Sequence, residues 1–195
     1  MNKLTKGITV LALSLITAQA EVKPFVSVGV GSFAADGDGI LSTGSTITSN
    51  QSGSALTLSA GAFFDDNFMA SISYTTVSAE DSVSVNALSL SAAYILGESN
   101  NKLRPFLGAS YNTFTYEESG FAAIGYSPDT LSVQTAYVSA DIGVLYELND
   151  VNSLSLMYKQ GISSNGEGTV SSGSTVLTVT YENVRQAILS YNHKF

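Results

Sequence analysis

The sequence predicts an all-β fold: an eight-stranded antiparallel up-and-down transmembrane β-barrel, preceded by a cleavable signal peptide. Three observations lead there. Apolar and polar residues alternate with period two in eight separate segments of the chain. The connections between those segments alternate between short turns rich in Asn and Asp and mostly longer loops rich in Gly and Ser. Charged residues make up only 12% of the 195-residue chain, well under the ~25% of soluble domains. Ser, Thr, Gly and Ala are abundant instead, which suits a strand-rich protein whose surface is not all in water.

The amino terminus reads as a signal peptide over 1–20. "MNKLTK" supplies two lysines, "GITVLALSLIT" an apolar core, and "AQA" at 18–20 a small-x-small cleavage site. The apolar run is shorter than the ~20 residues a bilayer-spanning helix needs. The mature chain is expected to start at Glu21, giving one barrel domain over 21–195. Loss of Lys3 and Lys6 takes the net charge from −8 to −10. That balance argues against nucleic acid as a partner, since phosphate binding needs clustered Lys and Arg. The absence of cysteine rules out disulfides, thiolate metal sites and a cysteine nucleophile. A single histidine rules out a multi-histidine metal site.

Beyond the leader, polar residues interrupt every apolar stretch, so a membrane crossing must be made by strands closed into a barrel. The eight segments are 23–34 "KPFVSVGVGSFA", 53–64 "GSALTLSAGAFF", 68–78 "FMASISYTTVS" and 85–97 "VNALSLSAAYILG". They continue with 104–116 "RPFLGASYNTFTY", 132–147 "SVQTAYVSADIGVLYE", 152–162 "NSLSLMYKQGI" and 183–195 "NVRQAILSYNHKF". Short turns fall at 65–67, 98–103 and 148–151, and loops at 35–52, 79–84, 117–131 and 163–182. An even strand number puts both mature termini on the short-turn side.

Parity assigns the two faces. Leu56 and Leu58 oppose Thr57 and Ser59, and Leu88 and Leu90 oppose Ser89 and Ser91. Ile142 and Val144 oppose Asp141 and Gly143, and Leu154 and Leu156 oppose Ser153 and Ser155. The apolar set is expected to face lipid and the small polar set to fill the interior. Phe64, Phe68, Tyr94, Tyr146 and Phe195 share the apolar parity beside the short turns or the carboxyl terminus, where an interfacial aromatic girdle sits.

These features together resemble the small eight-stranded bacterial outer-membrane β-barrel family, which includes the transmembrane domain of outer-membrane protein A and its short single-domain relatives. The resemblance covers roughly 22–195. It implies a bacterial outer-membrane location with both mature termini in the periplasm, contact with outer-membrane lipid and lipopolysaccharide, and a monomer. It also implies that Phe195, Tyr191 and Leu189, with Ala187, form the carboxyl-terminal signal read by the barrel assembly machinery. His193 stands where that signal more often has an aromatic or apolar residue. Barrel enzymes that deacylate or palmitoylate lipid A rely on a histidine near the outer face. His193 lies two residues from the opposite end, so no enzyme activity, catalytic residue, cofactor or metal site is expected.

Asp141 and Lys159 fall on the inward parity of neighbouring strands, nearly opposite each other across the turn at 148–151. Charges in a narrow lumen are costly unless paired, so an internal ion pair is expected, either fixing strand register or gating a pore. Inward Gly29, Gly31, Gly61, Gly108, Gly143 and Gly161 are expected to relieve strain where strands bend. The long-loop side is acidic, with Asp36, Asp38, Glu80, Asp81, Glu117, Glu118, Asp129, Glu167 and Glu182. "DGDG" at 36–39 lacks the further ligands of an EF-hand, and the acidic set is read as a solvated outer face, with loose bridging by divalent cations to lipopolysaccharide phosphates as the alternative. Arg185, on the outward parity near the outer rim, is a candidate direct contact to such a phosphate. The functional expectation is a structural, envelope-stabilising or surface-interaction role through acidic extracellular loops. The alternative is a narrow porin-like channel for ions or small solutes.

Overall fold

A computed structural model describes residues 21–48, 50–78, 83–164 and 166–195. The expected signal peptide and the loop acids Glu80 and Asp81 lie outside the described residues. The strands are β1 Val22–Leu41, β2 Thr46–Thr48, β3 Gln51–Phe64, β4 Phe68–Ser78 and β5 Val83–Ile95. They continue with β6 Leu103–Glu118, β7 Leu131–Glu147, β8 Asn152–Ser164, β9 Gly166–Ser172 and β10 Thr175–Lys194. A short 3-10 turn, Phe121–Ile124, sits between β6 and β7.

These ten strands form eight staves. β2 and β3 pair with β1 along one continuous register, Asp38 opposite Thr48 and Ala35 opposite Gln51. β8 and β9 likewise lie end to end between β7 and β10. Every neighbouring pair is antiparallel, and β1 pairs with β10, which closes the sheet into a barrel. Followed across facing residues of neighbouring strands, Pro24 leads through Ala62, Ala70, Ala92, Ala109, Ala140, Gln160 and Arg185 to Ala34, ten residues further along β1. This stagger tilts the staves and sets the narrow lumen of an eight-stranded barrel.

Two of the expected loops are largely strand. The "DGDG" stretch belongs to β1, and much of 163–182 belongs to β9 and β10. Asp36, Asp38, Glu167 and Glu182 therefore stand on strands and not in loops. The periodicity hides there because the inward positions include Gly37, Gly39 and Gly168, which carry no apolar side chain to mark the face. The result is a wall that is tall along β1 and β10 and short along β4 and β5.

The outward parity carries Leu56, Leu58, Leu88, Leu90, Ile142, Leu156 and Leu189, all exposed. Tyr94, Tyr146 and Phe195 are exposed at the end bearing the chain termini, and Phe64 and Phe68 stack there at 6.0 Å. Tyr74, Tyr111 and Tyr158 lie further along the same face. An apolar belt edged by aromatics is a surface that water does not suit and lipid does.

The lumen departs from the expectation that small polar residues fill it throughout. Near the termini Phe25, Phe63, Ile95, Phe106 and Leu145 form one apolar cluster. Toward the other end Phe33, Phe114, Tyr116, Tyr137, Tyr181 and Val179 belong to a second, larger one. Inward glycines stand where neighbouring backbone comes too close for a side chain. A Cβ built on Gly31 would lie 1.9 Å from the carbonyl oxygen of Ala187, and one on Gly143 would lie 2.3 Å from that of Leu156.

Candidate functional site

Between the two apolar clusters lies a layer of buried polar side chains, and its position follows from one turn. Asn149 accepts from the backbone nitrogens of Val151 and Asn152 at 3.1 and 2.9 Å, an Asx geometry that fixes the β7–β8 reversal. The register then puts Glu147 opposite Ser153 and Asp141 opposite Lys159. The Lys159 ammonium is 3.6 Å from the Asp141 carboxylate, and each side chain is 2% exposed.

Hydroxyls from three neighbouring staves complete the layer. Lys159 Nζ donates to Ser91 Oγ at 3.0 Å and to Ser110 Oγ at 2.8 Å. Asp141 accepts from Ser139 at 2.7 Å and also from Ser110. Asn112 donates to Ser139 at 3.0 Å. Both charges are thus paired and hydrogen-bonded, which a low-dielectric interior demands. A cavity of about 40 Å³ adjoins Asp141, lined in part by Ser27, Ser59, Ser71, Ser190 and Asn192. That is room for a few waters.

Ser110 between Lys159 and Asp141 has the residue types of an activated nucleophile. A nucleophile also needs an approach for substrate, and here apolar side chains pack above and below. The arrangement suits a fixed ion pair.

The rim at the termini end holds a second charge network that the sequence reading missed. Arg104 is buried, with Nη2 3.0 Å from Glu147 Oε1 and Nη1 donating to the Asp66 carbonyl at 2.7 Å. Lys194 Nζ reaches the other Glu147 oxygen at 2.7 Å and lies 5.2 Å from the centre of the Phe63 ring. Glu147 therefore ties β6, β7 and β10 together across the mouth. The signal was parity: Arg104 lies in step with Phe106 and Gly108, and Glu147 with Asp141. Lys23 pairs with Asp66 at 2.9 Å, and this hydrogen bond holds the Asp66 carboxyl below its ordinary range. Such a depressed carboxyl stabilises the fold above the usual carboxylate range and loses that effect as pH falls. Both partners are at least a third exposed, so solvent screening keeps it small.

The other sequence-selected residues lie apart from the lumen layer. Arg185 is on the outer face, its Nη2 2.6 Å from Asp36 Oδ1, beside a register shift between Ala34 and Asp36. Phe195 donates its backbone N–H to Pro24 at 2.9 Å, so the last residue is stitched onto β1. Leu189 and Tyr191 face outward. His193 Nδ1 is 2.9 Å from Asn152 Oδ1, and its ring meets Phe195 edge-on at 5.0 Å.

No protein-family model matches the sequence, and no curated protein matches it either. Solved structures do match in shape. The outer membrane protein OprG of Pseudomonas aeruginosa superposes with a TM-score of 0.62 at 15% identity, over 89% of this chain and 96% of that one. The amino-terminal β-barrel domain of Pseudomonas aeruginosa OprF gives 0.53 at 16%, over 87% and 97%. Neisserial surface protein A gives 0.52 at 18%, over 86% and 97%. Ring closure, strand number and these superpositions agree that the chain has the fold of the small eight-stranded outer-membrane β-barrels.

Proposed function

We propose that the chain is a closed outer-membrane barrel that anchors an acidic surface outside the cell and acts there by stabilising the envelope or contacting external partners. The observation that carries this reading is the filled lumen, with two apolar clusters separated by a buried ion pair that serine hydroxyls also hydrogen-bond. A lumen built this way serves as a core and leaves function to the surface. The tall end carries Asp38, Glu117, Glu167 and Glu182, all exposed or partly so. Arg185 is the one cation beside them among the described residues, and with Asp36 it forms a pair suited to a lipopolysaccharide phosphate bridged by a divalent cation. In this reading both mature termini face the periplasm, and the assembly machinery reads Leu189, Tyr191 and Phe195.

The reading predicts opposite accessibility for the two ends. An epitope inserted between Gly44 and Ser45 is expected to bind antibody on intact cells. The same epitope between Asp150 and Val151 is expected to bind only after the outer membrane is permeabilised. The reverse pattern, or equal access in both, would overturn the orientation.

A further inference from the structure

The turn between β3 and β4 is built from two acids in a costly conformation. Asp65 and Asp66 have φ of 50° and 55°, a left-handed region that non-glycine residues visit rarely and Asp and Asn tolerate best. Both carboxylates reach the start of β1. Asp65 Oδ1 accepts from the backbone nitrogen of Glu21 at 3.0 Å, and the Asp65 N–H donates back to the Glu21 carbonyl at 3.2 Å. Asp66 holds Lys23 two residues along. One aspartate thus grips both backbone polar groups of Glu21, the residue that directly follows the "AQA" sequence.

We propose that Asp65 is the receiving site for the amino terminus created by cleavage between Ala20 and Glu21, and that the processed α-ammonium clasps β1 to the β3–β4 turn. The proposal rests on the signal-peptide reading. In the cleavage, water delivered by an envelope signal peptidase breaks the amide; Ala20 leaves with the new carboxylate and Glu21 keeps the nitrogen as an ammonium. A neutral donor at 3.0 Å from a carboxylate becomes a cation there, and charge-assisted hydrogen bonds are the stronger kind. The surrounding charges are Asp66 on the turn, Lys23 on β1, and the side chain of Glu21, 3.7 Å from Lys23. The clasp sits beside the β1–β10 seam, where the barrel closes.

The test has two arms. Mass spectrometry of the protein isolated from membranes is expected to give a chain starting at Glu21; any other start overturns the cleavage. Separately, the 21–195 chain, released from a fusion so that it begins at Glu21, is refolded with a free or an acetylated α-amino group, with Asp65 or Asp65→Asn. Acetylation is expected to speed unfolding about two- to five-fold with Asp65, the size of a partly exposed ion pair, and to have no effect with Asp65→Asn. Acetylation that is silent in the Asp65 chain, or equal in both, overturns the clasp whatever the natural start.

Discussion

Lys159→Met is expected to destabilise the folded barrel by about 3–5 kcal/mol, read as a lower urea midpoint for the loss of heat-modifiable gel mobility. The cause is the charge left behind. Asp141 would keep Ser139 and Ser110 but lose its cation, in a layer where both side chains are 2% exposed. Asp141→Ala should cost a similar amount, because Lys159 would keep only two serine hydroxyls. The double change Asp141→Leu with Lys159→Met removes both charges together, and apolar replacement of a buried pair is often neutral or better. It should therefore recover most of the loss. Single variants as stable as the parent would mean that water reaches the layer freely and that the lumen is not a core.

Gly31→Val is the second large effect, with an expected loss of about 3 kcal/mol or more. Overpacking usually costs 1–3 kcal/mol when side chains can move aside. Here the obstacle is backbone: the Ala187 carbonyl oxygen lies 1.9 Å from where the Cβ would stand. Ala187 belongs to β10, so the variant would push apart the seam that closes the barrel. Folding yield in detergent should fall with stability. Gly173→Val is the control, since its Cβ would meet nothing within 4 Å, although its φ of 58° adds local strain. A Gly31 variant that folds as well as this control would remove the close-approach argument.

Much of this architecture was legible in the sequence because a barrel wall writes its two faces as period two. The outward leucines, the terminal aromatics and the pairing of Asp141 with Lys159 all follow from parity plus one short turn. What parity did not show was the height of β1 and β10. Gly37 and Gly39 face inward without a side chain, so "DGDG" has the composition of a loop. The alternation Leu177, Val179, Tyr181 was readable, and it marks the inner face of β10. The aromatic filling was hidden for another reason. Phe25, Phe33, Phe106 and Phe114 lie on the same parity as glycines and serines, and the average over that face looks small and polar. Only the closed ring brings Phe33 against Phe114, at 5.8 Å across the lumen, while Phe25 meets Phe63 at 4.9 Å as a diagonal neighbour on the adjoining strand. The Arg104–Glu147–Lys194 network was hidden by sequence distance, since Glu147 stands 43 residues from Arg104 and 47 from Lys194.

The central claim is that the lumen is a packed core and not a passage. Single-channel recording of the refolded 21–195 barrel in planar bilayers tests it most directly, with Asp141→Ala alongside and heat-modifiable mobility as proof of folding. The account predicts no discrete openings from the parent protein. Discrete openings whose size or ion selectivity changes in Asp141→Ala would contradict it, and would make the buried pair part of a narrow channel.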